Sequence, residues 1–260
     1  MSRTVRDDVG GEVRLPDGPV RRVVSLVPSL TEAMAATRPE ALVGATDWCT
    51  RPSGLDIPRV RGTKNPDRAA VADLAPELVV CVREENRELD VRRLRERGQQ
   101  VWVGDVESVA DALRVLRTLL VDVLRWGCPG WLEEIGRLWG AGRPPAARSR
   151  VVVPIWRDPW MVVGSRTFTT DLLAHAGLEN VFGDHAERYP GLALEELDGA
   201  GADVVLLPDE PYVFTADDGP EAFVRTPTRL VSGRLLTWYG PAMLEAWPVL
   251  RDLGPSPGAA

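Results

Sequence analysis

Four segments of this chain carry most of the side chains that could do chemistry: Asp47-Trp48-Cys49, Arg83-Glu84-Glu85-Asn86, Trp156-Arg157-Asp158-Pro159-Trp160 and Pro208-Asp209-Glu210-Pro211-Tyr212-Val213-Phe214. Each follows a short apolar run. The residue types suit recognition better than bond-making. Trp48 could stack on a flat macrocycle or pack beneath its own loop. Glu84, Glu85 and Asn86 could accept hydrogen bonds from amide arms of a ligand, form a paired-carboxylate acid/base site, or simply solvate a helix start. Trp156 and Trp160, flanking Arg157, would make a wall for a planar or amphipathic ligand, or pack across a hairpin. Asp209, Glu210 and Tyr212 follow an apolar strand and read as binding-loop residues. Lys64, the only lysine in the chain, and Asn65 lie in Gly62-Thr63-Lys64-Asn65-Pro66. Lys64 could meet a carboxylate or phosphate, and Asn65 could donate to an amide of a ligand or, as its place favours, cap the helix that follows. Trp238 and Tyr239 close the set, and Phe168 opens a helix whose N-terminus faces ligand.

Signals for catalysis are weak. His175 falls near the end of a predicted helix, and His185 near Asp184 and Glu187 lacks a metal-site spacing. GxSxG, P-loop and GxGxxG patterns are absent from the sequence, so no catalytic or metal residue is assigned. The net charge of −7, with no evident basic face, argues against a nucleic-acid partner. Cys49, Cys81 and Cys128 match neither a disulfide scaffold nor a metal spacing and fit a reducing compartment. No apolar stretch has membrane-span or signal-peptide length, so the chain as written reads as cytoplasmic. It reads as periplasmic or extracellular if a leader was removed or the start misassigned.

The elements that must position these loops follow from periodicity. In RVVSLVPSLTEAM, Arg22 to Met34, a β-branched run reaches Pro28. Ser29 or Thr31 then caps a helix opening at Glu32, leaving hydroxyls and backbone N–H groups at a strand's end. Open α/β sheets bind ligands at such ends. An exposed hairpin is expected over Thr4–Leu15, and strands at Ala41–Ala45, Leu78–Val82, Val101–Val103, Arg150–Ile155, Met161–Val163, Val204–Leu207 and Arg229–Val231. Helices are expected at 67–74, 89–97, 108–125, 131–139, 169–176, 194–197, 221–223 and 240–253, and residues 51–66 read as a loop. The αβ pattern occurs twice around a helical segment. The chain therefore reads as two Rossmann-like α/β lobes with parallel sheets: 1–107, then a helical backbone and connector over 108–148, then 149–260.

Four stretches carry a resemblance: RVVSLVPSLTEAM, IPRVRGTKNPD (Ile57–Asp67), VADLAPELVV (Val71–Val80) and GRLLTWYGPAM (Gly233–Met243). In order and spacing they resemble the helical-backbone (class III) substrate-binding proteins of ABC importers for cobalamin and iron chelates, most of all the cobalamin branch. The resemblance implies a monomer that binds a bulky metal chelate between its lobes: cobalamin or another corrinoid first, an iron-siderophore or haem as alternatives. It also implies an ABC permease partner, although Ala69 stands where the family carries its N-lobe docking glutamate. The competing reading is a cytoplasmic handler of a tetrapyrrole or metal chelate.

Overall fold

The computed structural model describes residues 2–140 and 142–253. They form two compact units: residues 2–106 with 110–136 and 239–241, and residues 107–109 with 137–140, 142–238 and 242–253.

The first unit opens with an antiparallel hairpin, β1 (Ser2–Arg6) and β2 (Glu12–Pro16), as expected. Val13 and Leu15 on one face of β2 are buried, and Asp7 at the turn pairs with Arg95. The sheet contains β3 (Val23–Ser25) and β4 (Leu42–Ala45). A two-residue hairpin, β5 (Arg61–Gly62) and β6 (Asn65–Pro66), precedes its other strands, β7 (Leu78–Val82) and β8 (Val101–Gly104). The four-stranded sheet is parallel in the order β4-β3-β7-β8. All of β7 is buried, as a central parallel strand covered on both faces should be. The helices are α1 (Pro28–Ala35), α2 (Arg68–Asp73), α3 (Glu88–Glu96), α4 (Val109–Arg117) and α5 (Gly130–Trp139). The core cluster over this sheet is aliphatic apart from Cys81.

The second unit repeats the plan. Its sheet strands are β9 (Ser149–Val152), then, after a hairpin of β10 (Pro154–Trp156) and β11 (Met161–Val162), β12 (Leu178–Asn180), β13 (Val204–Pro208) and β14 (Thr228–Val231). The order β12-β9-β13-β14 is again parallel. Helices α6 (Phe168–His175), α7 (Leu194–Asp198), α8 (Arg234–Thr237) and α9 (Ala242–Arg251) complete it. In both sheets the second strand in sequence flanks the first on one side and the third flanks it on the other. The chain therefore reverses direction of growth between β3 and β7, and between β9 and β13. In open α/β sheets such a switch point, at the strands' C-terminal ends, is where ligands bind.

Several expectations are corrected. The first helix begins at Pro28, not Glu32, because proline's fixed φ suits a first helical position. Ser29 and Thr31 are therefore inside it, and the Thr31 hydroxyl donates back to the Val27 carbonyl at 2.9 Å. Asn65 does not cap α2. Asp67 does, accepting from the N–H groups of Ala69 and Ala70 at 3.1 Å each, while Asn65 belongs to β6. The run Arg150–Ile155 is two strands, since Pro154 cannot donate to the ladder of β9. The helix expected over 108–125 is α-helical only to Arg117 and widens into π turns over Thr118–Val123. Strand β12 and helix α8, too short to show periodicity, were not expected.

Candidate functional site

At the switch point of the first unit, β3 passes through Leu26 and Val27 into α1, and β7 ends in the turn Arg83–Asn86. Asn86 is buried and wholly engaged. Its Oδ1 accepts from the Val82 N–H at 2.9 Å, and its Nδ2 donates to the carbonyls of Leu26 at 3.2 Å and Thr63 at 3.1 Å. One amide thus ties β7, the strand-to-helix turn and the β5–β6 hairpin together. Lys64, at the hairpin tip, donates to the Glu84 carbonyl at 2.6 Å and fastens the same two loops. Glu84 is exposed and Glu85 half-buried.

Ser29 is buried near the start of α1, against the hydroxyl of Tyr239. Tyr239 is itself buried. Burial, with the nearby Glu85, Glu84 and Asp105 carboxylates, holds its phenol well above the ordinary value. Gly240 follows at φ +121, and any Cβ there would lie 3.4 Å from the Ala33 Cβ and 3.5 Å from the Ser29 carbonyl. There is room for that Cβ, and it is the positive φ that favours glycine here.

After β4, Arg59 holds the next loop, donating to the carbonyls of Thr46 (3.0 Å), Cys49 (2.9 Å) and Leu55 (3.0 Å). Cys49 is buried against the hydroxyls of Thr31 and Thr46, and burial pushes its thiol up. With the loop so anchored, Trp48 projects from it 66% exposed. An indole this exposed offers an apolar, polarisable face to a ligand.

In the second unit the hairpin β10–β11 stands beside the loop after β13. Trp156 is 44% exposed and lies edge-on to Tyr212, their ring centres 5.6 Å apart. Trp160 is different. It is only 8% exposed, stacked on Phe214 (5.9 Å, 7°) and edge-on to Phe223 (5.3 Å, 74°) in the core. The expected open wall of two indoles is therefore corrected to a single exposed indole backed by a packed one. Arg157 pairs with Asp218 and, at 2.6 Å, with Glu221, and lies 5.4 Å from the Trp160 ring centre. Tyr212 donates to Asp218 at 2.6 Å, and that bond holds its phenol above the ordinary value.

The remaining predicted residues lie in the second unit and are engaged or buried there. Asp209 accepts the Gly233 N–H at 2.7 Å, and Glu210 lies 3.2 Å from the Thr237 hydroxyl. A Cβ at Gly233 would meet the Glu210 Cγ at 2.4 Å, so α8 depends on glycine there. Burial raises the Glu210 carboxyl, opposed by hydrogen bonds from Trp238 and Thr237. Trp238 is buried, and Phe168 is buried at the start of α6. Sequence reasoning missed Arg59, whose carbonyl partners lie in an irregular loop without periodicity, and Asp218 and Glu221, whose partner Arg157 lies 61 and 64 residues away. It also missed Asp67, which the Asp-before-helix cap preference could have found. Among the described residues no group of three or more His, Cys, Asp or Glu side chains could hold a metal ion. No helix among them is long and apolar enough to cross a membrane.

No family model matches the sequence. Two parallel sheets of this order, in two units, are the fold that the chain shares with solved periplasmic vitamin B12-binding and haem-binding proteins. It is similar to the vitamin B12-binding protein of Pectobacterium carotovorum, 25% identical over 185 residues that cover 68% of this chain and 67% of that one. It is likewise 29% identical over 185 residues to the vitamin B12-binding protein of Salmonella typhi, covering 68% of each. Among solved structures, the periplasmic vitamin B12-binding protein of Vibrio cholerae superposes with a TM-score of 0.69 at 16% identity, over 90% of this chain and 96% of that one. A periplasmic haem-binding protein of Pseudomonas aeruginosa superposes at 0.73 with 20% identity, over 91% and 94%.

Proposed function

We propose that this protein is a substrate-binding protein that captures a bulky, flat metal chelate, a cobalamin-like corrinoid first, for ABC-type uptake. The observation that carries this reading is the pair of exposed indoles. Each unit presents one, Trp48 or Trp156, on loops at the C-terminal edge of its parallel sheet, and each indole's loop is locked by hydrogen bonds or ion pairs. Pre-set aromatic platforms fit a large planar ligand and limit the ordering lost on binding. The relatives named for vitamin B12 support the corrinoid. The binding role of those relatives supports a non-catalytic protein. That similar solved structures are of periplasmic binding proteins supports work outside the cytoplasm. In this reading residues 108–148 act as the helical spine, the protein is a monomer, and an ABC permease is its partner although Ala69 is an exposed alanine on α2.

A second reading, a haem or iron-siderophore carrier, is supported by the haem-binding proteins among the similar structures. Tryptophan-fluorescence and visible-absorbance titrations with cobalamin, cobinamide and haemin test both. Saturable quenching by the corrinoids, lost in Trp48→Ala with Trp156→Ala, is the expected result. Response to haemin alone selects the second reading, and no response to any probe rejects both.

A further inference from the structure

The exposed indole of the second unit stands at the end of a short hairpin, where backbone pairing fixes its Cα but not its ring. Trp156 is the last residue of β10 and sits opposite Met161 of β11. Its ring meets that of Tyr212 edge-on, at 5.6 Å and 77°. Aromatic pairs hold this geometry through their quadrupoles, so the place of Tyr212 decides how Trp156 is presented. Tyr212 must be held in turn. Its hydroxyl donates to Asp218 Oδ2 at 2.6 Å, the range of a charge-assisted bond to a carboxylate. Among the described residues that hydroxyl makes no other hydrogen bond. The second oxygen of the same carboxylate, Oδ1, accepts from Arg157, the residue directly after Trp156. One carboxylate therefore reaches the indole twice, through the ring against it and through the residue bonded to it. Arg157 has Glu221 as a further anchor at 2.6 Å, whereas Tyr212 depends on Asp218.

Asp218 is itself fixed. Its backbone closes a turn with Thr215, each N–H donating to the other's carbonyl, at 3.0 and 3.4 Å. Gly219 follows at φ +120, and a Cβ there would lie 2.6 Å from the Phe214 ring, so the turn is packed directly on the aromatic core. Asp218 is the side chain through which this turn reaches the surface. Resting on the chelate-binding reading above, we propose that Asp218 is a positioning residue of the second unit's site: it sets the pose of Trp156 through the Tyr212 ring, and acts on the ligand through that indole. A ring already held in place loses less freedom on binding than one left to rotate. Loosening Tyr212 therefore weakens binding although the indole is still there.

The test reads the indole first and the ligand second. The full chain, Tyr212→Phe, Asp218→Ala and Asp218→Asn are labelled with fluorotryptophan, and the Trp156 fluorine signal is assigned by Trp156→Phe. Before any ligand is added, that signal is expected to move in Tyr212→Phe and Asp218→Ala while those of Trp48 and Trp139 stay in place. Titration with cobinamide and haemin is then expected to show affinity for whichever chelate binds falling about tenfold in Asp218→Ala and about threefold in Tyr212→Phe. Asp218→Asn keeps an acceptor for the hydroxyl and is expected to recover most of both the signal and the affinity. Tyr212→Phe keeps the ring and its packing, so the test stands even where Asp218→Ala does not fold. A Trp156 signal unmoved in the variants, movement of the Trp139 signal alongside it, or unchanged affinity where the Trp156 signal has moved overturns the proposal and leaves chelate binding intact. Failure of both chelates to bind the unsubstituted chain removes the chelate-binding reading instead, and the ligand-free signals keep that outcome distinct from failure of the positioning role.

Discussion

The two units share a strand order but finish it with different chemistry. In the first, β3 runs through two residues into α1, and the sheet's end is polar, assembled by Asn86, Lys64 and Arg59 reaching for backbone carbonyls. In the second, the β10–β11 hairpin is inserted between β9 and α6, and the end is aromatic, clamped by ion pairs from Arg157. Their cores differ in the same way: aliphatic in one, built on Trp160, Phe214 and Phe223 in the other. One topology thus supports two solutions to holding a tryptophan at the surface. Backbone carbonyls anchor the loop of Trp48, while a buried indole and its aromatic neighbours underlie the loop of Trp156.

The contrast can be broken from its most costly contact downward. Trp160→Ala empties the centre of the aromatic cluster and is expected to cost about 3–5 kcal/mol in urea denaturation. A loss under about 1 kcal/mol would mean that the cluster does not hold the second unit together. Asn86→Ala strips one donor and two acceptors of their partner inside the first unit. A loss of about 2–3 kcal/mol is expected, with Gln unable to restore it, since its longer arm cannot meet all three backbone groups.

The next effect is one of sign. Burial raises the Glu210 carboxyl, so its folded pKa lies above its unfolded one. Its stabilising contribution is then complete below the unfolded value and is lost as pH rises through the folded value. Stability of Glu210→Gln relative to the unsubstituted protein should therefore climb as pH rises from about 4 towards neutrality. Asp67, held low chiefly by the Ala70 N–H, has the opposite sign: its contribution is present above the ordinary carboxylate value and is lost on acidification. Urea midpoints across pH for Glu210→Gln and Asp67→Asn separate the two. Parallel curves would contradict the assigned causes. Smallest of all, Trp48→Ala is expected to change stability by no more than about 0.5 kcal/mol, because its ring is largely in water already.

Much of the fold was legible, because buried parallel strands are continuous apolar runs. Leu78–Val82 was read to the residue, and α3 and α6 to within a residue or two through their flanking Gly98 and Gly177. What failed was short or depended on distant partners. The three residues of β12 form a strand only because β9 lies beside them. The site was legible as a set of loops but not as a set of roles. Trp156 and Trp160 sit four residues apart in one loop, and what separates them is contact with Tyr212 for one and with Phe214 and Phe223 for the other. Arg157 looked like a ligand group until partners 61 and 64 residues away were seen to engage it. Asn86 reads in the sequence as an acceptor for a ligand's amide arms, yet its side-chain amide bonds the backbone of Val82, Leu26 and Thr63.

The chain's nine tryptophans offer the most direct test, because each indole N–H gives its own signal in a nitrogen–proton correlation spectrum of the labelled protein. On titration with cobinamide, the account predicts that the Trp48 and Trp156 signals, assigned by substitution, move or broaden saturably together while those of Trp102, Trp139 and Trp160 stay in place. Perturbation confined to the buried indoles, or none at all at saturating cobinamide, would contradict it.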